Sequence, residues 1–413
     1  MPGIGATAGS TVVPFDPYEL KDVVGGTVRD PYPAIHALRR ISPVHSGPVD
    51  LGEGAESADP SKPAPITVLG YDEVVAVLRD SETYSSTIYE EVMGMVMGRT
   101  ILQMDEPEHR SIRTLVASSF RSKMLERWEE ELVARVVNEL IDTFIDEGRT
   151  DLVRSVTFNF PVQVIARILG LPREDYPVFQ RWTLELTSVA ANWDRGVAAS
   201  AALRDYFADV MEERRAHPGD DLISELVRTE VDGRHLTDEE IFSFLRLILP
   251  AGVETTYRAT GSLLFALLHD RTQFDALAND RSLFAPAFEE VVRWEPPVCV
   301  ILRRATREAE LAGVKIESGA DLALLIGAAN RDERKYPHPD RYDMFREQRQ
   351  HVGFGVHVCL GMHLARMESR IAVNTLLDRL GPFTLDPDAE PPHIEGLAFR
   401  SPLSLPVVFT PGG

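Results

Sequence analysis

From Thr237 to His269 the chain keeps one apolar pattern at helical spacing. Thr237 followed three residues later by Glu240 marks the start of that helix, because each side chain can serve the other residue's backbone N–H. At ~1.5 Å per residue the helix is roughly 50 Å long. A rod of that length crosses a whole domain, so the remainder must pack around it and the chain reads as mainly α. The middle of the rod is its weak point. In LPAGVETT (249–256), Pro250 removes a backbone donor and crowds the carbonyl of Arg246. Gly252 costs about 1 kcal/mol of helix propensity, and Thr255 can bond back to the carbonyl of Ala251. These residues predict an opened turn with Glu254 and Thr255 beside it. An acid and an alcohol at such a gap suit oxygen binding and proton delivery. A proline-kinked core helix with Glu254 facing water fits the same residues.

Composition narrows the function classes. The 413 residues include 43 Lys+Arg and 64 Asp+Glu, a formal charge of −21, with 44% hydrophobic and 26% charged residues. That balance excludes disorder as the main state. It argues against nucleic acid or an anionic membrane as partner. No apolar run of about 18 residues is present, and the N-terminus has no export pattern. The two cysteines, Cys299 and Cys359, have no paired spacing, so neither a disulfide framework nor an iron–sulfur cluster is expected. A cytoplasmic monomer is the expectation.

Residues 1–28 read as a loosely held arm and 29–413 as one domain. Helical patterns dominate 106–278, with breaks at Gly148, Gly170, Ala191-Asn192 and His217-Pro218-Gly219. After about 296 the texture changes to short strands: VCVILRR, AELAGVKI and DLALLIG. The expectation is a large helical body with a minor, mostly late, β part.

The stretch HVGFGVHVCLGMHLARMESR (351–370) sets one cysteine among Gly353, Gly355 and Gly361. Glycines permit close approach of backbone to a flat ligand. Cys359 falls just before a helix, where free N–H groups favour a thiolate. A thiolate is one of the few axial ligands used for haem iron. A buried, inert cysteine is the plain alternative. A zinc site from His357, Cys359 and His363 is a second one, short of the four ligands that structural zinc prefers.

Taken in order, these motifs resemble the soluble bacterial cytochrome P-450 haem-thiolate monooxygenases, from about Pro31 to Phe409. Around the cysteine, Gly355, Cys359 and Gly361 fit the family's F-x-x-G-x-x-x-C-x-G. Val352 stands where the family has Phe, and Phe354 comes two residues later. AGVETT (251–256) is similar to the oxygen-activating segment, with Ala251 and Gly252 beside the cofactor and Glu254 and Thr255 as acid and alcohol. EEVVR (289–293) supplies E-x-x-R as Glu290 and Arg293. PDRY (339–342) resembles the segment whose arginine, here Arg341, completes a buried charge network with that pair. EPEHRSIR (106–113) looks like the propionate-binding helix, through His109 and Arg113. Arg303 and His357 match further propionate contacts, and two carboxylates need several cationic donors.

The resemblance implies a single compact domain of cytochrome P-450 fold, with heme b (iron protoporphyrin IX) between the long central helix and the cysteine-bearing helix. Cys359 is the implied iron ligand. The implied activity inserts one atom of O2 into a small apolar substrate. Electrons would come from a separate ferredoxin and ferredoxin reductase, so NAD(P)H acts only indirectly. Arg110, Arg121, Arg366 and Arg370 could form a basic docking patch on the cysteine side. The implied substrate lining is Ile88, Val92, Met93, Met97, Leu247, Ala251, Val300, Ile301 and Phe399, apolar and Met-rich. An isomerase, dehydratase or peroxide-using enzyme of the same fold is the alternative, and a non-catalytic helical ligand-binding protein is a further one.

Overall fold

The computed structural model describes residues 28–51, 62–118, 131–187, 192–231, 233–347, 350–352 and 359–411. All of the arm but residue 28 therefore lies outside the described residues, as do Arg121, Phe354, Gly355 and His357.

The central helix runs from Asp238 to His269, and its capping box is formed: Glu240 N–H donates to Thr237 Oγ1 at 3.3 Å, and Thr237 N–H to the Glu240 carboxylate at 2.8 Å. The expected break is absent, because the helix continues through Pro250 and Gly252. Packing explains why. Ile241 to Pro250 are all buried, as are Thr256 to Leu264, so tertiary contacts on both sides hold the turn that propensity alone would lose. Gly252 answers a packing need. A Cβ there would meet Ile165 Cδ1 at 2.9 Å, so glycine lets the helix Asn159–Ile168 approach closely.

The other helices that place the site are Glu108–Ser118, Trp193–Ala216, Phe284–Trp294 and Met362–Leu380. Thr260 of the central helix and Ser369 of Met362–Leu380 share a hydroxyl–hydroxyl hydrogen bond of 2.8 Å, which fixes where these two helices meet. The largest core joins all of these helices. No described helix is long and apolar enough to cross a membrane.

The β part is minor but not simply late. Its largest sheet has the order Val44–Ser46, Ile66–Val68, Asp321–Leu325, Val300–Ala305, Tyr84–Ser85. Ile66–Val68 lies parallel to Asp321–Leu325, so segments far apart in sequence share one sheet. AELAGVKI is not one strand. Ala309–Leu311 and Val314–Ile316 form a hairpin, turned at Ala312 and Gly313, which both have positive φ, as a tight two-residue turn requires.

Candidate active site

Between Ile241 and Leu264 the central helix is buried at every residue except Ala251, Gly252 and Thr255. Ala251 is exposed and Gly252 and Thr255 are half-buried, between neighbours that are buried. Positions 251 and 255 lie on one helix face. The Thr255 hydroxyl donates to the Ala251 carbonyl at 2.7 Å, as the sequence predicts, even though the turn stays helical. Leu247, one turn earlier, is buried, as are Ile88 and Met97 of the helix Ile88–Met97, and Met93 is partly buried against the same core.

Cys359 precedes the helix Met362–Leu380, whose N-cap is Gly361. Its side chain is accessible. Burial by surrounding protein raises the thiol above its ordinary value, opposed by the N–H groups of Gly361 and Met362 and by the positive charges of Arg113 and Arg366. The expected helix-terminus donors are therefore present, but desolvation outweighs them. A coordinated metal cation would reverse the balance and hold the thiolate. Measured back from the Thr260–Ser369 crossing at ~1.5 Å per residue, Thr255 and Ala251 lie roughly 7 to 14 Å along one helix and Cys359 on the order of 15 Å along the other. Both groups thus sit on the N-terminal side of a single crossing.

Arg303 supplies the test of whether a haem fits. It is buried on the strand Val300–Ala305 and donates to the carbonyl of Leu302 at 2.7 Å. Among the described residues no carboxylate lies within ion-pairing distance of it, and burial pulls its pKa down. A buried cation in that condition suits an anionic ligand. His109 is buried with Nδ1 3.2 Å from Glu106, and Arg113 stands one turn further along the same helix. Cationic groups and a thiol together suit a group with an anionic edge and a soft metal, which is what haem presents.

Two expectations change. Arg341 is exposed, and only its backbone carbonyl reaches the Glu290 network. The arginine that completes it is Arg346, whose Nε donates to Glu290 Oε1 at 3.0 Å. Glu290 and Arg293 are fully buried and pair as a fork, Nε to Oε2 and Nη2 to Oε1, both at 2.8 Å. No local pattern separates Arg341 from Arg346; burial does. Val92 is 46% exposed, whereas Ile88 and Met97 of the same helix are buried. Val300 packs against the Tyr32–Ile35 core, whereas Ile301 packs into the sheet core. Neighbours on a strand face opposite ways, so the two cannot line one wall.

Val352, in the place of the family's Phe, is buried and its N–H donates to Asn330 Oδ1 at 2.7 Å. Arg366 is engaged by Glu289 through two hydrogen bonds of 2.7 and 3.0 Å, which removes it from a free docking patch. Arg110 is exposed beside Glu106, and Arg370 is half-buried. Among the described residues no three His, Cys, Asp or Glu side chains gather round a metal position. His363 of the zinc alternative is exposed. A cleft of about 420 Å³ lies elsewhere, beside Tyr32, His36, Trp294, Arg331 and Arg400, and none of the predicted site residues lines it.

A family model described as Cytochrome P450 matches residues 162–405. The chain belongs to the cytochrome P450 family. Cytochrome P450 monooxygenase PikC of Streptomyces venezuelae is 33% identical over 371 residues, covering 86% of this chain and 85% of that one. A steroid C26-monooxygenase of Mycolicibacterium smegmatis is 35% identical over 354 residues, 83% of this chain and 86% of that one. The crystal structure of CYP109E1 from Bacillus megaterium in complex with testosterone superposes with a TM-score of 0.82 at 30% identity, covering 92% of this chain and 99% of that one. This cytochrome P450 is an oxidoreductase of the monooxygenase type.

Residues missed at the sequence level share one trait: each is a buried partner of a charge. Besides Arg346, they include Arg258, which pairs with Glu254, and the Glu295–Arg331–Arg400 cluster joined by Tyr32. Glu254 is buried and held by Arg258, not turned to water. Glu368, on the cysteine helix, is also buried, and desolvation pushes its carboxyl well above the usual range.

Proposed function

We propose that the protein hydroxylates a small apolar organic substrate at a heme b held by Cys359, with electrons supplied by a ferredoxin and its reductase. Bound there, haem supplies the chemistry that splits dioxygen, leaving one oxygen atom in the substrate and one in water. The chain's own residues do the rest. Cys359 would give the iron its thiolate, with the N–H groups of Gly361 and Met362 directed at the sulfur. Arg303, His109 and Arg113 would receive the propionates. The Thr255 hydroxyl, anchored on the Ala251 carbonyl, offers a hydrogen bond on the accessible face of the central helix. Glu254 stands next to it in sequence and holds the nearest acid–base group. Ile88, Met93, Met97, Leu247 and Ala251 give the substrate side an apolar, Met-rich character, which suits adaptable binding of a bulky apolar ligand. A steroid complex among the similar structures and a steroid monooxygenase among the relatives favour ligands of that size as first probes.

The observation that carries this reading is the opening at Ala251, Gly252 and Thr255 in the middle of a helix that is otherwise accessible only toward its two ends. Purified protein tests it. A haem-loaded sample whose reduced carbon monoxide adduct absorbs as a thiolate complex, and whose spectrum is abolished by Cys359→Ser, supports it; a colourless sample refutes it. Product formed with peroxide alone, and none with a ferredoxin pair, would move the assignment to the peroxide-using alternative.

A further inference from the structure

The helix Ile88–Met97 carries three of the residues read as substrate wall, Ile88, Met93 and Met97, and its C-terminal end is finished by a different helix. Glu90 and Glu91 occupy its first turn, but its last turn holds no basic residue. The end of a helix presents unbonded carbonyls and partial negative charge, which a nearby cation stabilises. Here that cation is Arg246 of the central helix. Its Nη1 donates to Ser200 Oγ at 3.1 Å and lies 3.5 Å from the Val96 carbonyl. Ser200, on the helix Trp193–Ala216, donates its own hydroxyl to the same Val96 carbonyl. One arginine thus joins three helices, with one serine between.

The junction requires close approach. Gly98, which ends the helix Ile88–Met97, has φ +73°, and a Cβ there would meet Ser243 Oγ at 2.5 Å and Arg246 Nη2 at 2.8 Å. Arg246 is also unlike its peers. Of the arginines buried among the described residues, all but Arg303 and Arg246 have a carboxylate oxygen within 3.0 Å. Glu239, which is exposed and pairs with Arg204, approaches Arg246 only to 4.0 Å. Burial pulls the Arg246 pKa down. A buried cation is costly unless polar groups surround it. The Ser200 hydroxyl, the end of the helix Ile88–Met97 and the Phe242 carbonyl, 3.3 Å from Nε, fill that role here.

We propose that Arg246 is a positioning residue for the substrate wall: through Ser200 it clasps the Val96 end of the helix Ile88–Met97 to the central helix, and so sets the spacing between Met97 and Leu247. Met97 and Leu247 directly follow the clasped pair, Val96 and Arg246, in sequence, and both are buried in the same core. A shift at the clasp therefore carries both apolar side chains with it. Their role toward substrate rests on the haem monooxygenase reading; the clasp does not.

Amide hydrogen exchange of the purified protein tests the clasp. In Arg246→Met, exchange of residues 88–98 should quicken about tenfold, while that of Met362–Leu380 stays as in the parent. Ser200→Ala should move the same residues by less, and Arg246→Lys, which keeps the charge, should restore most of the protection. Unchanged exchange at 88–98 in folded Arg246→Met and Ser200→Ala overturns the clasp, whether or not the protein is a monooxygenase. Two haem-binding probes test the positioning role. Imidazole is small and needs little beyond the iron, whereas the phenyl ring of 4-phenylimidazole needs an apolar wall. Read from the shift of haem absorption, Arg246→Met should weaken 4-phenylimidazole about fivefold and leave imidazole unchanged, with Arg246→Lys close to the parent. Quickened exchange with the same preference between the two probes overturns the positioning role. A parent that binds neither probe overturns the monooxygenase reading, and that role with it, and the exchange measurement still decides the clasp.

Discussion

Two buried acid–arginine pairs are built from almost the same local pattern and end up unlike. Glu290 and Arg293, three residues apart, meet as a fork in which each carboxylate oxygen has its own nitrogen. Arg346 and the N–H of Asp343 add to the same carboxylate, and the remaining Arg293 donors reach the carbonyls of Asn330, Pro339 and Arg341. Glu254 and Arg258, four residues apart, put two nitrogens on one oxygen and leave the other bare. The first network is closed and ties the helix Phe284–Trp294 to the loop of residues 330–346. The second is open and adjoins Thr255. A finished network fixes geometry; an unfinished one leaves a carboxylate oxygen beside Thr255 without a donor, and that difference separates scaffold from candidate chemistry.

The contrast can be broken by mutation. Arg293→Met takes from Glu290 Oε2 the only donor it has among the described residues and withdraws donors from the three carbonyls that Arg293 serves, leaving Arg346 and the Asp343 N–H on Oε1, so a loss of about 3–5 kcal/mol is expected in urea unfolding of the haem-loaded protein. Next in size is a paired test of the corrected assignment. Arg346→Ala should cost about 2–3 kcal/mol by the same mechanism, whereas Arg341→Ala should stay within about 0.5 kcal/mol as a surface change; equal costs would return Arg341 to the network. Arg258→Met should cost about 1–2 kcal/mol, because it removes donors from a single carboxylate oxygen and one hydroxyl, not from a closed network. A cost matching that of Arg293→Met would erase the distinction between the two pairs.

The smallest loss expected from a paired charge comes from Glu289, which joins the cysteine helix through Arg366 and the segment before the cysteine through His351. Burial raises its carboxyl pKa, but the hydrogen bonds from His351 and Arg366 and the charge of Arg366 outweigh this and leave it at about 2, below the ordinary 4.5. A depressed acid stabilises the fold above its unfolded value and loses that stabilisation as pH falls through the folded value. Glu289→Gln should therefore cost about 1 kcal/mol near pH 7. The gap between variant and parent should close between pH 4.5 and 2, and a gap that persisted at the acid end would show that Glu289 does not act through its charge.

Much of the frame was legible along the chain. The capping box at Thr237 and Glu240 marks the start of the central helix, and the back-bond from Thr255 to Ala251 is present as its spacing predicts. The breaks at Gly148 and Gly170 fall where glycine adopts positive φ. The cysteine helix ends before Gly381, as expected. These features depend on contacts within a few residues, which a sequence displays directly. The break at Pro250 was not borne out, because packing against Ile165 and the rest of the core is a long-range contribution. The opposite facing of Val300 and Ile301 was hidden for a related reason: local apolarity does not say which side of an element faces which core.

The sequence by itself determined that this protein is mainly helical, has a long capped helix carrying an acid–alcohol pair, and presents one cysteine ahead of a late helix. Those are short-range facts of spacing, capping and residue type. Only the tertiary structure decided that Arg346, and not Arg341, closes the Glu290 network, that Gly252 serves helix packing, and that Glu254 is held by Arg258 with one oxygen left bare. Each depends on which side chains are removed from water together, and desolvation is settled by neighbours brought from distant parts of the chain.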